Sequence, residues 1–135
     1  MEYRNIQTIC PFCGCGCAIN LEVVDGKVVG VLPVVDHPVS QGSLCIKGWN
    51  AHSFVHHEDR LKVPLIRENG EFREASWEEA IKLVAKNLEG IKKKFGSDAI
   101  GVLASAKCTN EENYLLQKFT RSVIGTNNID HCARL

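Results

Sequence analysis

The run Cys10-Pro-Phe-Cys-Gly-Cys-Gly-Cys17 packs four thiols into eight residues, and a fifth, in Leu44-Cys45-Ile-Lys47-Gly48, follows after 27 intervening residues. Sulfur is soft, so a thiolate cage selects zinc or an iron-sulfur cluster over hard cations, which need oxygen ligands. Structural zinc sites bring their ligands in two short pairs that bridge a single ion. Here the second pair is missing. The spacing C-x2-C-x3-C-x27-C suits a cubane instead: a tight loop wraps one side and a distant cysteine closes the other. Cys15 and Cys17 are both within reach as the third ligand, and Cys17 is the favoured one. Gly14 and Gly16 let the backbone curl against a bulky cluster with amides free for its sulfurs. A dithiol pair on Cys10 and Cys13 is the other reading, but that chemistry wants C-x-x-C opening a helix in a βαβ unit, and a hairpin follows here.

The rest of the composition narrows the class. Seven cysteines are an odd number, and with no signal-peptide layout in Met1-Glu-Tyr-Arg-Asn5 they read as reduced ligands of a cytosolic chain, not as disulfides. Sixteen Lys plus Arg balance sixteen Asp plus Glu. Nucleic acid, whose phosphates call for a basic excess, is not an expected partner. No run approaches the roughly 18 to 20 apolar residues of a membrane-spanning helix. At 135 residues, 44% hydrophobic and 24% charged, the chain has material for one modest core.

Tyr3 to Ile9 reads as a strand that delivers Cys10 to the loop. Ala18–Val24 and Lys27–Leu32 flank Asp25-Gly26, a type I′ hairpin signal, and a short helix is expected over Cys45–Val55. Leu61–Ile66 and Glu71–Arg73 flank Asn69-Gly70 and predict a second ribbon. Ser76-Trp-Glu-Glu79 is a capping box. Behind it Trp77, Ile81, Val84, Leu88, Ile91 and Phe95 form one apolar stripe, and Gly96 is placed to end the helix. Ala99–Ala104 reads as a buried parallel strand. Thr109 or Asn110 caps a second helix with Leu115, Leu116, Phe119 and Val123 inward and Gly125 after it. One parallel strand has no sheet to sit in, so the sequence reads as the opening part of a larger layered domain.

These motifs, together with Ser105-Ala-Lys-Cys-Thr-Asn-Glu-Glu-Asn-Tyr114 and Gly125-Thr-Asn-Asn-Ile-Asp-His-Cys-Ala-Arg-Leu135, closely resemble, in order and over the whole chain, the N-terminal part of the catalytic subunit of molybdopterin-dependent formate dehydrogenases. The resemblance implies an α+β chain: a small antiparallel [4Fe-4S] domain over residues 1–58, then the beginning of an α/β molybdopterin-binding domain over 59–135. It places the cluster on Cys10, Cys13, Cys17 and Cys45 and leaves Cys15 free. Lys47 matches a lysine between the cluster and the pterin of a molybdenum or tungsten bis(molybdopterin guanine dinucleotide), where a fixed cation aids electron transfer. Thr109, Asn110, Glu111 and Asn113 fall on a candidate pterin-facing segment. The implied reaction oxidises formate to carbon dioxide and passes electrons to an iron-sulfur or flavin subunit. In the family a selenocysteine or cysteine that ligates the metal follows the Cys-Ala-Arg-Leu segment. It is expected after Leu135, as if a selenocysteine UGA codon had been read as a stop, and the 135 residues alone are expected not to oxidise formate.

Plainer readings stand beside these. Lys47 alone is a solvated charge, and Cys108 and Cys132 are buried small hydrophobes. His37, His52, His56, His57 and His131 are expected not to bind metal. Lys92, Lys93 and Lys94 suit the negative end of a helix dipole, and Asn110–Asn113 is a solvated helix start. A stand-alone iron-sulfur electron carrier and a zinc-stabilised interaction module are the competing functions.

Overall fold

The structure, a computed structural model, describes residues 1–132. Ala133, Arg134 and Leu135, the end of the expected motif from Gly125, lie outside the described residues. The chain is α+β and divides into two compact units: Met1–Arg60 with Ala104–Leu116 and the segment from His131, and Leu61–Leu103 with Gln117–Asp130.

In the first unit β1 (Tyr3–Ile9), β2 (Ala18–Val24) and β3 (Lys27–Pro33) form an antiparallel sheet in that order. Asp25 and Gly26 turn the β2–β3 hairpin with φ of 46° and 79°, the positive values a type I′ turn needs. The central strand supplies the best-buried positions, Ala18 and Ile19, each 1% exposed. Ile19 packs with Cys10, Val31 and Ala51, and Phe12, Cys17, Leu21 and Leu44 lean on that cluster. The helix expected over Cys45–Val55 is shorter: α1 spans only Ile46–Trp49. Asn50 Nδ2 donates to the Ile46 carbonyl and Ser53 Oγ to the Asn50 carbonyl, so local side-chain bonds replace the helical ladder with turns.

In the second unit β4 (Leu65–Glu68) and β5 (Glu71–Glu74) pair across Asn69-Gly70. β4 begins later than expected because Pro64 has no amide to give a ladder. α2 (Trp77–Phe95) starts at the expected cap, Ser76 Oγ accepting from the Glu79 amide at 3.1 Å, and ends at Gly96. Its apolar stripe does not face a core. None of the α2 residues is buried, and Trp77, Ile81 and Val84 are 69%, 61% and 57% exposed. With Phe119, Val123 and Ile124 the stripe lines an open groove of about 480 Å³.

β6 (Val102–Ser105) pairs with β7 (Ile129–Cys132) alone. The expected burial of this strand is corrected, since Leu103 is 86% exposed. Burial of a strand on both faces requires a layer on each, which one pairing does not provide. α3 (Asn110–Lys118) runs into a π-helical turn at Phe119–Ile124, closed by the Gly125 amide on the Thr120 carbonyl five residues back, 2.9 Å. The wider turn changes which side faces inward. Thr120 and Ile124 are buried, while Leu115, Phe119 and Val123, expected inside, are exposed. Among the described residues no helix is long and apolar enough to cross a membrane.

Candidate metal centre

The cysteine loop is an insertion at the end of the β1–β2 pair. Ile9 faces Ala18 in the register, and one step on the Cys10 amide donates to the Cys17 carbonyl at 2.8 Å, which closes the loop at its base. Cys10, 6% exposed, is part of the unit's core, so the loop is anchored by apolar packing as well as by the sheet. Gly16 turns the chain back with φ of 68°. Cys45 arrives at the N-terminal end of α1, and its carbonyl accepts from the Trp49 amide at 3.1 Å.

Cys10, Cys13, Cys17 and Cys45 line one cavity of about 170 Å³, and Cys15 is not among its walls. Lys47 lines it too. Phe12 and Leu44 supply apolar wall, and Ala106 and Lys107 reach the same cavity from the turn after β6. Gly48 packs on Leu44, where a Cβ would stand 3.3 Å from Leu44 carbons. Phe12 meets Phe54 edge to face at 5.7 Å, and Arg60 stacks on the other ring at 5.0 Å.

The thiols are not equivalent. The amides of Gly48 and Lys47, and then the Lys47 charge, hold the Cys45 thiol below its ordinary value. Burial, then the neighbouring Cys15, Cys10 and Cys13, push the Cys17 thiol up to about 11. Crowded thiolates repel, and a cation-rich centre that takes up their charge is what such a group lacks by itself. Among the described residues no three Cys, His, Asp or Glu side chains converge closely enough to hold one metal ion. A single tetrahedral zinc needs its sulfurs at about 2.3 Å from one point. Thiols spread around a cavity fit a larger body that each touches at a separate corner. A cavity of about 170 Å³ walled by four thiols fits an iron-sulfur cluster.

Of the histidines, His56 Nε2 accepts the Val28 amide at 2.9 Å, His37 Nδ1 meets Ser40, His57 lies by Asp59 and His131 Nδ1 meets the Cys132 carbonyl at 3.0 Å, whereas His52 Nδ1 is buried with no hydrogen-bond partner among the described residues. Cys108 is half-buried. Cys132, expected buried, is exposed, because β7 pairs only with β6 among the described residues and a two-stranded ribbon buries little by itself; the Ser105 hydroxyl at 3.3 Å and then the Ala106 amide hold its thiol below the ordinary value.

The segment Thr109–Asn113 does not line the cysteine cavity. Thr109 and Glu112 form a capping box, with the Glu112 amide on Thr109 Oγ1 at 3.2 Å and the Thr109 amide on Glu112 Oε2 at 2.7 Å. Asn113 Nδ2 bonds the Ser105 and Thr109 carbonyls, and Glu111 is exposed in the first turn. Asn110 Nδ2 donates to the Gly14 carbonyl at 2.9 Å across 96 residues of sequence. Sequence reasoning missed this contact and Lys107, since no local pattern announces a pairing at such separation.

A family model described as the molybdopterin oxidoreductase Fe4S4 domain matches residues 3–57, and one described as molybdopterin oxidoreductase matches residues 60–135. The chain belongs to the molybdopterin oxidoreductases. These two family descriptions name the cofactors, a [4Fe-4S] cluster and molybdopterin. The chain is 54% identical, over its full length, to the F420-dependent formate dehydrogenase 1 subunit alpha of Methanococcus maripaludis, of which it covers 19%. It is 49% identical over the same span to the F420-dependent formate dehydrogenase subunit alpha of Methanocaldococcus jannaschii, again 19% of that protein. A putative formate dehydrogenase of Staphylococcus aureus is 42% identical over 97% of the chain and 13% of its own length. Among solved structures, acetylene hydratase from Pelobacter acetylenicus matches with a TM-score of 0.75 at 26% identity, covering 93% of this chain and 18% of that one. The chain thus spans between 13% and 19% of the length of these relatives.

Proposed function

We propose that the chain is the electron-exit module of a formate dehydrogenase, with Cys10, Cys13, Cys17 and Cys45 as ligands of a [4Fe-4S] cluster. The observation that carries the reading is the single cavity walled by those four thiols and Lys47. When bound, the cluster stores and releases one electron at a time, and a molybdenum or tungsten pterin centre takes two from formate. The chain's residues supply the surroundings. Amides of Lys47 and Gly48 point at the Cys45 sulfur and favour its charged form. The Lys47 ammonium, on the same wall, would stabilise negative charge added to a cluster held by those thiols and so aid electron transfer to and from it.

The segment Thr109–Asn113, with Glu111 exposed in its first turn and the Asn110 amide turned to Gly14, is the surface proposed to face the pterin. On this reading residues 1–58 form the cluster domain and 59–135 the first part of the pterin domain of a cytoplasmic enzyme. The formate assignment is supported by the 54% identity to a formate dehydrogenase alpha subunit, not by the fold, which a protein named as a hydratase shares. The names of two relatives extend the proposal to the acceptor, F420, reached through a partner subunit.

The test is anaerobic reconstitution with ferrous iron and sulfide. About four iron and four sulfide per chain, with an EPR signal on reduction, is the expected result. Serine at position 10, 13, 17 or 45 removes most of that iron, whereas Cys15→Ser keeps it. A colourless protein that takes up one zinc refutes the cluster. Formate-dependent reduction of F420 by the longer protein with its partner subunit checks the substrate and acceptor, and an enzyme that hydrates acetylene but ignores formate overturns them.

A further inference from the structure

We propose that Asn110 is a positioning residue for the cluster loop: its amide pins the Gly14 carbonyl so that Cys17, and not Cys15, faces the cavity. The inference rests on the four-cysteine reading above and adds to it a reason for the choice between two adjacent thiols. Chemistry settles the direction of the bond, because a carbonyl only accepts and the Asn110 NH₂ is the group that donates, at 2.9 Å.

The second observation concerns Gly14 itself. Its φ is not positive, unlike that of Gly16, so its backbone does not require glycine. Space does. A Cβ at position 14 would stand 2.6 Å from Asn110 Oδ1 and 3.5 Å from Asn110 Cγ. The loop therefore carries glycine where the Asn110 side chain lies flat against it.

Asn110 is held ready for this contact. The Thr109–Glu112 capping box fixes the residue before it, and Asn113 ties the same turn to Ser105. Gly14 is flanked by Cys13, which lines the cavity, and Cys15, which does not. Fixing the peptide between them sets which way the chain leaves Cys13, and so sends the Cys15 side chain outward. Without the clamp the loop keeps its base, the Cys10–Cys17 backbone bond, but its tip is free to turn. Cys15, two positions from Cys17, then competes for the same corner of the cluster.

The test compares the reconstituted 135-residue chain with N110A, N110D and N110A/C15S. Groups that orient metal ligands typically change metal affinity by about 10- to 100-fold when removed, and iron loss to a chelator is expected to speed up by about that factor in N110A. N110D keeps the shape but cannot donate when ionised, so it behaves like N110A and decides the matter should N110A fold poorly. Both variants show a second EPR species in the reduced state, and C15S in the N110A background removes it. Wild-type chelation rates and a single unchanged EPR spectrum in N110A or N110D overturn the proposal. A wild-type chain that takes up no iron overturns the four-cysteine reading and this one with it, whereas normal loading with silent Asn110 variants sinks this one alone.

Discussion

The unit that carries the cysteines buries its best apolar residues within itself, while the unit that carries α2 leaves its longest apolar face open. In the first, Ile19 and Val31 of the sheet pack against Cys10 and Ala51, and the metal loop grows out of that core. In the second, the α2 stripe is as regular as any amphipathic pattern, yet its residues stand 38% exposed or more at Trp77, Ile81, Val84, Ile91 and Phe95. A small sheet can close on a loop of its own. A two-layer fold needs its second layer before an amphipathic helix has anything to cover.

That contrast can be broken by measurement. Ile19→Ala removes a side chain that is 1% exposed and is expected to cost about 2–5 kcal/mol in urea unfolding of the reconstituted chain. A loss under about 1 kcal/mol would mean that the first unit has no working core. Ser76→Ala removes the cap of α2 and is expected to cost about 1 kcal/mol, with loss of helical circular dichroism in its first turn. Val84→Asp places a charge on the stripe and is expected to change stability by no more than about 0.5 kcal/mol in this chain. A large loss there would show that the groove is closed in solution.

The smallest effect is electrostatic. Arg73 pairs with Glu68 and Glu79 and holds both carboxyls below their ordinary value of 4.5. A carboxyl depressed in the folded state stabilises fully above its unfolded value, and that contribution fades as pH falls through the lower folded value. Arg73→Met should therefore flatten the loss of stability below pH 4.5 and leave neutral pH little changed, since exposed pairs contribute little.

Short-range signals carry directly into the structure. The Asp25-Gly26 and Asn69-Gly70 turns, the Ser76 cap and the Gly96 stop are short-range chemistry, and each is where the residues say it should be. Errors arose where a residue's surroundings come from elsewhere in the chain. The extent of α1 turned on Asn50 and Ser53 bonding their own backbone, and the inward face of the second helix turned on a π-helical turn that periodicity does not show. Leu103, apolar and in a strand, was expected to be covered and is not.

Sequence alone determined the donors on offer, soft thiols at C-x2-C-x3-C-x27-C spacing, because these are properties of residue type and order. It also determined the hairpin and the capped helix, whose hydrogen bonds close within a few residues. Only the tertiary structure brought Lys107 to the wall beside Lys47 and laid Asn110 against Gly14. Such contacts depend on how separate segments pack, and no pattern of neighbours along the chain encodes a meeting between residues 96 positions apart.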